Sequence, residues 1–336
     1  MSQTKQTWLF KNPVYIVSTA TVGGTMEQKS PYAKNFDYLF TSNYAGQTSF
    51  EQAEQALIEK ACLLATQKAQ WKLNEIDVFI AGDLLNQITS SSFTARNLNI
   101  PYLGIFSACS TSMQGLALAA QLVSSGASSS ALTATVSHNC TAERQFRYPT
   151  EYGAQKPPYS QYTATAAGAA LVSTSRHPVQ ITSATIGKVI DFNVTDPLNM
   201  GAAMAPAAVS TIRNHLNERG LKANYYDRII TGDLGKVGYD IASDLLKKDG
   251  ISLNKEQFMD CGCLLYGDQK NVFSGGSGCG CAASMVYGHF VKELQEGNLQ
   301  RVLVATTGAL HSPMSVHQNK SILCISHAVS LERGDF

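Results

Sequence analysis

The chain repeats parts of its own sequence, and this repetition restricts the possible folds more than any other feature. Residues 76–84 (IDVFIAGDL) and 226–234 (YDRIITGDL) share an Asp, two apolar positions and a final Gly-Asp-Leu at an offset of 150 residues. Each copy is a short apolar run that ends in a turn, a pattern typical of a buried strand. The repeat therefore predicts that one structural unit occurs twice.

Three further pairs of segments recur in the same order: a turn of small residues that leads into a helix, a strand after that helix, and a second strand. Gly126 and Gly297 end the two helices at an offset of 171 residues. The pairs are 106–113 with 273–285, 131–135 with 302–306, and 168–173 with 326–331. Four ordered pairs predict two halves with one fold. The alternative is that they are generic β-α units.

A helix is predicted before each of the repeated strands. Ser49 to Gln52 fits a capping box, and apolar residues then recur at helical spacing. The second half has residues 205–216 in that place, with Pro206 suited to a first turn. Strands that alternate with helices predict parallel or mixed sheets covered by helices. We therefore predict an α/β protein of five layers, αβαβα, with two pseudo-symmetric halves at residues 1–177 and 178–336.

Composition excludes several classes of protein. Apolar residues make up 44% of the chain and charged residues only 15%, below the roughly 25% of an average globular chain. This balance excludes a disordered chain, and a net charge of +1 argues against a nucleic-acid partner. Residues 97–142 carry no charge but are rich in Ser, Thr and Gly, so we predict a buried interior, with no signal peptide and no transmembrane span.

The cysteine spacing argues against a zinc site. None of the eight cysteines forms a C-x-x-C pair, and the two C-x-C pairs are poorly spaced for zinc. Without a secretory signal, free thiols are the default state. We predict no bound metal and no cofactor.

The duplicated pattern, with Cys109 in the first strand-to-helix turn, resembles the thiolase and ketoacyl synthase superfamily over nearly the whole chain. It is more similar still to the stage V sporulation AD family of spore-forming bacteria, on residues 81–86, 106–113, 137–139, 142–153, 204–208 and 275–279. That resemblance implies binding of dipicolinic acid, which we expect to be bound as its calcium chelate, in support of its uptake into the developing spore. It also implies partner membrane proteins of the same sporulation operon, peripheral attachment to the spore inner membrane through them, and a homodimer.

Thiolase chemistry depends on Cys109 and on groups that stabilise an oxyanion. A thiol at a helix N-terminus is expected to have a lowered pKa, although a buried structural Cys is the alternative. In the superfamily, His or Asn supplies the other groups, and Asp233 and residues 274–278 stand at those positions here. A carboxylate there would repel an oxyanion. We therefore expect a binding protein. The alternatives are an acyltransferase or thioesterase with Cys109 as nucleophile and His327 as its base, or a scaffold for membrane partners.

A pocket for the flat dicarboxylate needs hydrogen-bond donors and apolar walls. The two strand-to-helix turns, called the first elbow (106–113) and the second elbow (273–285), are the expected sites. Asp83 and Asp233, which end the two repeated strands, suit Ca²⁺ as ligands, or else cap helices and turns. Arg144 and Arg147 are candidate cations or dimer-interface residues. The predicted ligand-binding residues are Cys109, Asp83, Ser110, Thr111, His138, Asn139, Asp233, Gly278, Cys279 and His327.

Overall fold

The computed structural model describes residues 5–147 and 156–334. Its strands are β1 (Thr7–Gly23), β2 (Tyr38–Leu39), β3 (Val78–Asp83), β4 (Tyr102–Gly104), β5 (Ser130–Ser137), β6 (Tyr162–Thr163), β7 (Ala166–Ser173), β8 (Val179–Thr185), β9 (Ile190–Asp191), β10 (Arg228–Gly232), β11 (Phe258–Asp260), β12 (Gly276–Ser277), β13 (Arg301–Ala309) and β14 (Leu323–Arg333). Its α-helices are α1 (Phe50–Lys68), α2 (Thr89–Leu98), α3 (Thr111–Ser125), α4 (Asn139–Ala142), α5 (Met200–Arg219), α6 (Gly235–Lys248), α7 (Cys261–Tyr266), α8 (Cys279–Met285), α9 (Val291–Glu296) and α10 (Pro313–His317).

The main sheet is mixed and runs through both halves of the chain. Its strand order is β11-β10-β13-β14-β8-β1-β7-β5-β3-β4. Read outward from the centre, the first half contributes β1-β7-β5-β3-β4 and the second contributes β8-β14-β13-β10-β11, so each half repeats the same order. The antiparallel pair of β1 with β8 joins the two halves. The duplication seen in the sequence is therefore a duplication of sheet topology.

Helices cover both half-sheets and also lie between them. Helix α1 packs on β1, β7 and β5, and α5 packs on β13 and β14. Helix α3 contacts strands of both halves, and α8 lies beside it. Three apolar clusters fill the spaces between layers: one under α1 with Leu57 and Phe79, one around α3 with Met113 and Val304, and one under α5 with Ile212. This is the predicted αβαβα arrangement.

Local sequence signals gave three helix boundaries. Ser49 caps α1 by accepting a hydrogen bond from the Gln52 backbone N–H at 3.2 Å. Gly126 and Gly297 end their helices with φ of 78° and 82°, a conformation that glycine adopts without steric cost. The predicted start of the second-half helix was wrong, because α5 begins at Met200 and Pro206 lies inside it.

No helix among the described residues is both long enough and apolar enough to cross a membrane. The segment 142–153, on which part of the family resemblance depends, lies only partly within the description: residues 148–153 and the side chain of Arg147 fall outside it.

Candidate functional site

The two elbows meet inside the protein, next to each other. A small apolar cluster joins Cys109 and Ala108 of the first elbow to Cys279 of the second, with Leu84 beside them. The first elbow is sharp, since Ala108 has a φ of 49°. Strand β13 approaches it so closely that a Cβ on Gly308 would lie 2.1 Å from the Ser107 carbonyl oxygen. Glycine is therefore required at this contact between the two halves.

A cavity opens from the first elbow. Cys109 lies in its wall and Phe106 at its edge, where 47% of the Phe106 surface is exposed. Most of the wall is apolar, and its polar members are hydroxyls, imidazoles and one thiol. The lining residues are Leu84, Phe106, Ala108, Cys109, Ala142, Phe146, Thr163, Pro197, Met200, Ser277, Ala309, His311, Pro313, Val316 and His317. They come from both halves of the chain, and none of them is Lys or Arg.

The thiol of Cys109 is in an environment that disfavours the thiolate. Cys109 is 7% exposed and lies in a 3₁₀ turn that precedes α3. Burial raises the pKa of Cys109 well above its ordinary value, and the neighbouring Asp233 adds to this effect, while the Gly278 backbone N–H opposes it. The predicted lowering of this pKa was therefore wrong, because burial outweighs the helix N-terminus.

His327 lies close to the first elbow but its ring nitrogens are engaged elsewhere. Its Nε2 lies 3.1 Å from Ser107 Oγ, and its Nδ1 accepts a hydrogen bond from the Gly187 N–H at 3.3 Å. This pairing makes Nε2 the protonated nitrogen. Burial lowers the pKa of His327 to about 4, so the ring is neutral. The structure thus contradicts the expectation that His327 is available as a base for Cys109.

Asp83 is a structural residue in this fold. Its carboxylate accepts hydrogen bonds from the Leu85 N–H at 2.9 Å, and from the Ser91 N–H and hydroxyl at 2.7 Å each. These bonds fasten the turn after β3 to the first turn of α2, which is the capping alternative considered for this residue. Asp83 is also fully buried and does not line the cavity.

Ser110 and Thr111 also bond within the protein. The Ser110 hydroxyl donates to the Thr306 carbonyl at 2.8 Å and accepts from the backbone N–H of His327 at 3.1 Å. The Thr111 hydroxyl donates to the Ala108 carbonyl at 2.6 Å. These side chains hold the first elbow in shape and fix it to the second half. They support the cavity wall and do not line the cavity.

His138 and Asn139 lie where β5 ends, away from the cavity lining. The His138 Nδ1 accepts from the Cys140 N–H at 3.1 Å, and its Nε2 lies 2.8 Å from the Asn43 carbonyl. Burial lowers the pKa of His138. The Asn139 backbone N–H donates to the Thr165 hydroxyl at 3.0 Å. His138 therefore caps α4 and anchors the loop around Asn43, while the Asn139 backbone is fixed to Thr165.

The two elbow cysteines differ in their surroundings, because Cys109 lines the cavity and Cys279 does not. Cys279 is fully buried, and its thiol donates to the Val136 carbonyl at 2.9 Å. Gly278 has a φ of 101°, and a Cβ there would lie 2.6 Å from the Ser137 hydroxyl. Its backbone N–H acts on both Cys109 and Asp233, lowering the pKa of each. The Gly278 backbone therefore influences both groups, although neither carboxyl oxygen of Asp233 accepts a hydrogen bond from it.

Asp233 is the predicted site residue with the most unusual surroundings. It is fully buried, and neither carboxyl oxygen has a hydrogen-bond partner. Burial raises the pKa of Asp233 well above its ordinary value, and Asp260 raises it further. This environment favours the uncharged form of the carboxyl group.

The sequence reasoning missed most of the cavity wall. His311 and His317 are not among the predicted ligand-binding residues, yet both line the cavity. Phe146 packs edge-on against His311, with ring centroids 5.5 Å apart. The segment between β13 and β14 carries both histidines, His317 at the end of α10, and its position after a repeated strand was an available signal. Arg144 is paired with Glu51 at the surface and does not line the cavity.

Sequence comparison finds a family model and a relative that match nearly the whole chain. The sequence model of the family described as Stage V sporulation protein AD (SpoVAD) matches residues 4–332. The chain is 47% identical over 329 residues to stage V sporulation protein AD of Bacillus subtilis (strain 168), a match that covers 98% of this chain and 97% of that protein.

Structure comparison confirms the predicted thiolase-like fold. Acetyl-CoA acetyltransferase from Syntrophomonas wolfei matches with a TM-score of 0.64 and 11% identity, over 96% of this chain and 100% of that chain. The 3-oxoacyl-[acyl-carrier-protein] synthase III from Aquifex aeolicus VF5 matches with a TM-score of 0.62 and 14% identity, over 95% of this chain and 99% of that chain. At these identities the likeness concerns the fold alone.

Proposed function

Because the chain belongs to the Stage V sporulation protein AD family, we propose that it binds dipicolinic acid in the cavity beside Cys109 and does not convert it. The bound form is the calcium chelate, and the binding supports uptake of dipicolinate into the developing spore. The observation that carries the non-catalytic part is the neutral Cys109 thiol, which has lost its candidate base because both His327 nitrogens are engaged.

The shape and polarity of the cavity suit a flat aromatic acid. Phe106, Phe146 and Met200 supply apolar surface for the ring. Thr163, Ser277 and the two histidines supply polar atoms for carboxylate groups. An apolar wall with a few polar groups is the usual composition of a small-molecule site.

Charge favours the calcium chelate over the free dianion. A dianion needs cations or many donors, and the described cavity lining contains neither Lys nor Arg. Among residues 5–147 and 156–334, no cluster of three or more His, Cys, Asp or Glu could hold a metal ion. A calcium ion held by the oxygens of dipicolinate itself neutralises the ligand without protein ligands. We propose that the complex enters as this neutral unit.

The proposal also includes protein partners. Membrane proteins of the same sporulation operon would receive or deliver the ligand, and the chain would be peripheral to the spore inner membrane through them. A homodimer is part of the same proposal. Co-purification of the chain with those membrane proteins from sporulating cells tests the attachment, and sedimentation equilibrium tests the dimer.

Titration calorimetry with dipicolinate, with and without calcium, tests the binding. We expect saturable binding that is stronger with calcium and selective over an isomeric pyridine dicarboxylate. No binding in either condition would contradict the proposal.

A pair of variants locates the site. Val316→Trp narrows the cavity from a partly exposed position and should weaken binding by about tenfold or more, equivalent to about 1.4 kcal/mol. Gln318→Trp, beside the same short helix but outside the cavity, is the matched control and should bind as the wild type does. Cys109→Ala should also weaken binding. Asp83→Arg is not a useful probe, because Asp83 is buried and holds the turn after β3.

The alternative function is a cysteine-dependent acyltransferase or thioesterase. Its support is that Cys109 lines the cavity of a thiolase-like fold. An acyl-CoA incubated with the protein would then transfer its acyl group to Cys109, which mass spectrometry detects. Selective acylation of Cys109, absent in Cys109→Ala, would favour the enzyme over the binding protein.

A further inference from the structure

A small two-stranded sheet, separate from the main sheet, joins the two halves of the chain beside the cavity. Its strands β6 and β12 run parallel, with Thr163 opposite Ser277. The Tyr162 N–H donates to the Gly275 carbonyl at 2.9 Å. The Ala164 N–H donates to the Ser277 carbonyl at 2.8 Å. This pairing fixes Thr163 of the first half beside Ser277 of the second half.

Thr163 and Ser277 are the hydroxyl-bearing residues of the described cavity lining. Thr163 is 5% exposed and Ser277 is 1% exposed. Side chains that are opposite each other in register lie on the same face of a sheet, and neighbouring strands are about 4.8 Å apart. The two hydroxyls therefore face the same part of the cavity, one from each half of the chain.

Neither hydroxyl is engaged within the described part of the protein. No hydrogen bond among residues 5–147 and 156–334 reaches Thr163 Oγ1 or Ser277 Oγ. The hydroxyl oxygens that lack a partner and are sealed in the interior include those of Ser90 and Thr94, but not those of Thr163 and Ser277. The latter two oxygens therefore keep accessible surface, and the cavity is the space that their residues line. The Thr163 methyl packs toward Gly278, where it would lie 3.0 Å from an added Cβ.

We propose that Thr163 and Ser277 form a carboxylate-binding pair, in which each hydroxyl donates a hydrogen bond to one carboxylate group of an aromatic acid in the cavity. A hydroxyl donates over about 2.7 Å, so two hydroxyls on strands about 4.8 Å apart can converge on one carboxylate. These donors carry no charge, which suits a calcium chelate whose carboxylate oxygens keep lone pairs that face away from the metal. This inference rests on the proposed function and adds to it the residues that orient the ligand.

Thr163→Val and Ser277→Ala remove the hydroxyls with little change of volume. Calorimetry with calcium dipicolinate should give each variant an affinity about tenfold below wild type, as expected for a lost hydrogen bond to a carboxylate. Thr163→Ser keeps the donor and should bind within about threefold of wild type. Ser90→Ala and Thr94→Val remove buried hydroxyls outside the cavity lining and, as matched controls, should bind as the wild type does. Wild-type affinity in both Thr163→Val and Ser277→Ala would overturn the inference.

The stability of the ligand-free protein separates a binding role from a structural one. Because neither hydroxyl bonds within the described protein, Thr163→Val and Ser277→Ala should keep the midpoint of urea unfolding of wild type or raise it. Ser91→Ala, which removes a hydrogen bond of 2.7 Å to Asp83, should lower that midpoint. A midpoint lowered equally in Thr163→Val and Ser277→Ala would assign the two hydroxyls to the fold and contradict the inference.

Benzoate tests the hydroxyl pair without dipicolinate. In protein labelled at its threonine methyl groups, the NMR signal of Thr163 is the one that disappears in Thr163→Val. Benzoate should shift this signal in wild type, and the same shift should need about tenfold more benzoate in Ser277→Ala. No shift in wild type would overturn the inference. Failure of wild type to bind dipicolinate, beside a benzoate response that depends on Ser277, would instead overturn the proposed function and support the carboxylate-binding pair.

Discussion

The two halves share one topology but use their repeated aspartates differently, and the cause is the length of the following turn. After β3, a 3₁₀ turn separates Asp83 from α2, so the carboxylate can reach back to the Ser91 N–H. After β10, α6 begins at Gly235, two residues beyond Asp233. The shorter turn leaves no room for the same cap, and Asp260 from β11 supplies it. A duplicated position therefore keeps its residue type while its role depends on the neighbouring connection.

The elbows differ in the same way. Cys279 is sealed and its thiol is hydrogen-bonded to Val136, whereas Cys109 lies in the wall of the cavity. The two equivalent cysteines therefore have different surroundings, although both halves contribute residues to the cavity wall. The predictions below test this division of roles.

The largest expected effect is at Asp260. Asp260→Ala removes the acceptor for three buried donors, the Leu234 N–H, the Gly235 N–H and the Thr231 hydroxyl, and for the partly buried Cys263 N–H. Each unsatisfied buried donor costs about 1–3 kcal/mol, so the free energy of unfolding should fall by at least about 3 kcal/mol. Urea unfolding followed by circular dichroism measures it, and Asp260→Asn should lose less. A smaller loss of stability for Asp260→Ala than for Asp83→Ala would contradict the idea that Asp260 holds the turn after β10 as Asp83 holds the turn after β3.

The next effect is at Asp83. Asp83→Ala should lower the free energy of unfolding by about 2–3 kcal/mol, because two backbone N–H groups and one hydroxyl lose their acceptor. The same urea experiment applies. Ser91→Ala removes only the hydroxyl bond and should cost about 1 kcal/mol. An unchanged stability for Asp83→Ala would show that Asp83 does not hold this turn.

At Asp233, replacing the carboxyl group should raise the free energy of unfolding, whereas the substitutions at Asp260 and Asp83 should lower it. Since burial raises the pKa of Asp233, the folded state holds a proton that the unfolded state releases above a pKa of about 3.9. Stability therefore falls as the pH rises from that value to the folded-state pKa, by about 1.4 kcal/mol per pH unit. Asp233→Asn should remove this contribution and be more stable than wild type at neutral pH. A less stable variant, measured beside the exposed control Asp244→Asn on α6, would contradict an uncharged Asp233.

His327 should show a smaller, acid-side effect. Burial lowers the pKa of His327 to about 4, against about 6.5 in an unfolded chain. The unfolded state therefore binds the proton first, and stability falls as the pH drops from about 6.5 to 4. His327→Gln should flatten the curve in that window and cost about 1 kcal/mol at neutral pH through its bonds to Ser107 and Gly187. Thermal unfolding at several pH values measures both, and an unchanged slope would show that His327 is not buried and neutral.

Thiol labelling should rank the cysteines. Cys140 is partly exposed and should react first with an uncharged maleimide, while Cys109 should react more slowly because burial raises its pKa. Cys279, sealed and hydrogen-bonded, should react only on unfolding. Mass spectrometry of timed samples gives the order. Faster labelling of Cys109 than of Cys140 would indicate an activated thiol and would favour the acyl-transfer alternative.

The internal repeat, read from the sequence, was sufficient to predict the layered αβαβα fold, because strand periodicity and turn signals are local. Capping at Ser49 and helix ends at Gly126 and Gly297 were likewise local. The start of α5 was missed because Pro206 is tolerated inside a long, buried helix. Tertiary packing there outweighs the local preference of Pro for a first turn.

The site was only partly predictable. The sequence placed Cys109 at the first elbow because its position after a strand and before a helix is visible in the repeat. It misassigned Ser110, Thr111 and Asp83, since Ser, Thr and Asp serve both ligands and the backbone. It missed His311 and His317, which reach the cavity only because β13 ends beside the first elbow.

The sequence by itself determined the duplicated fold and the positions of the two elbows, because both depend on short-range patterns of apolar residues and turns. Only the tertiary structure decided the charge state of the site. Burial sets the pKa of Cys109, Asp233 and His327, and burial depends on chain segments far apart in sequence. The same holds for the cap of the turn after β10. Asp260 on β11 supplies it in place of Asp233, and this requires β10 and β11 to lie side by side.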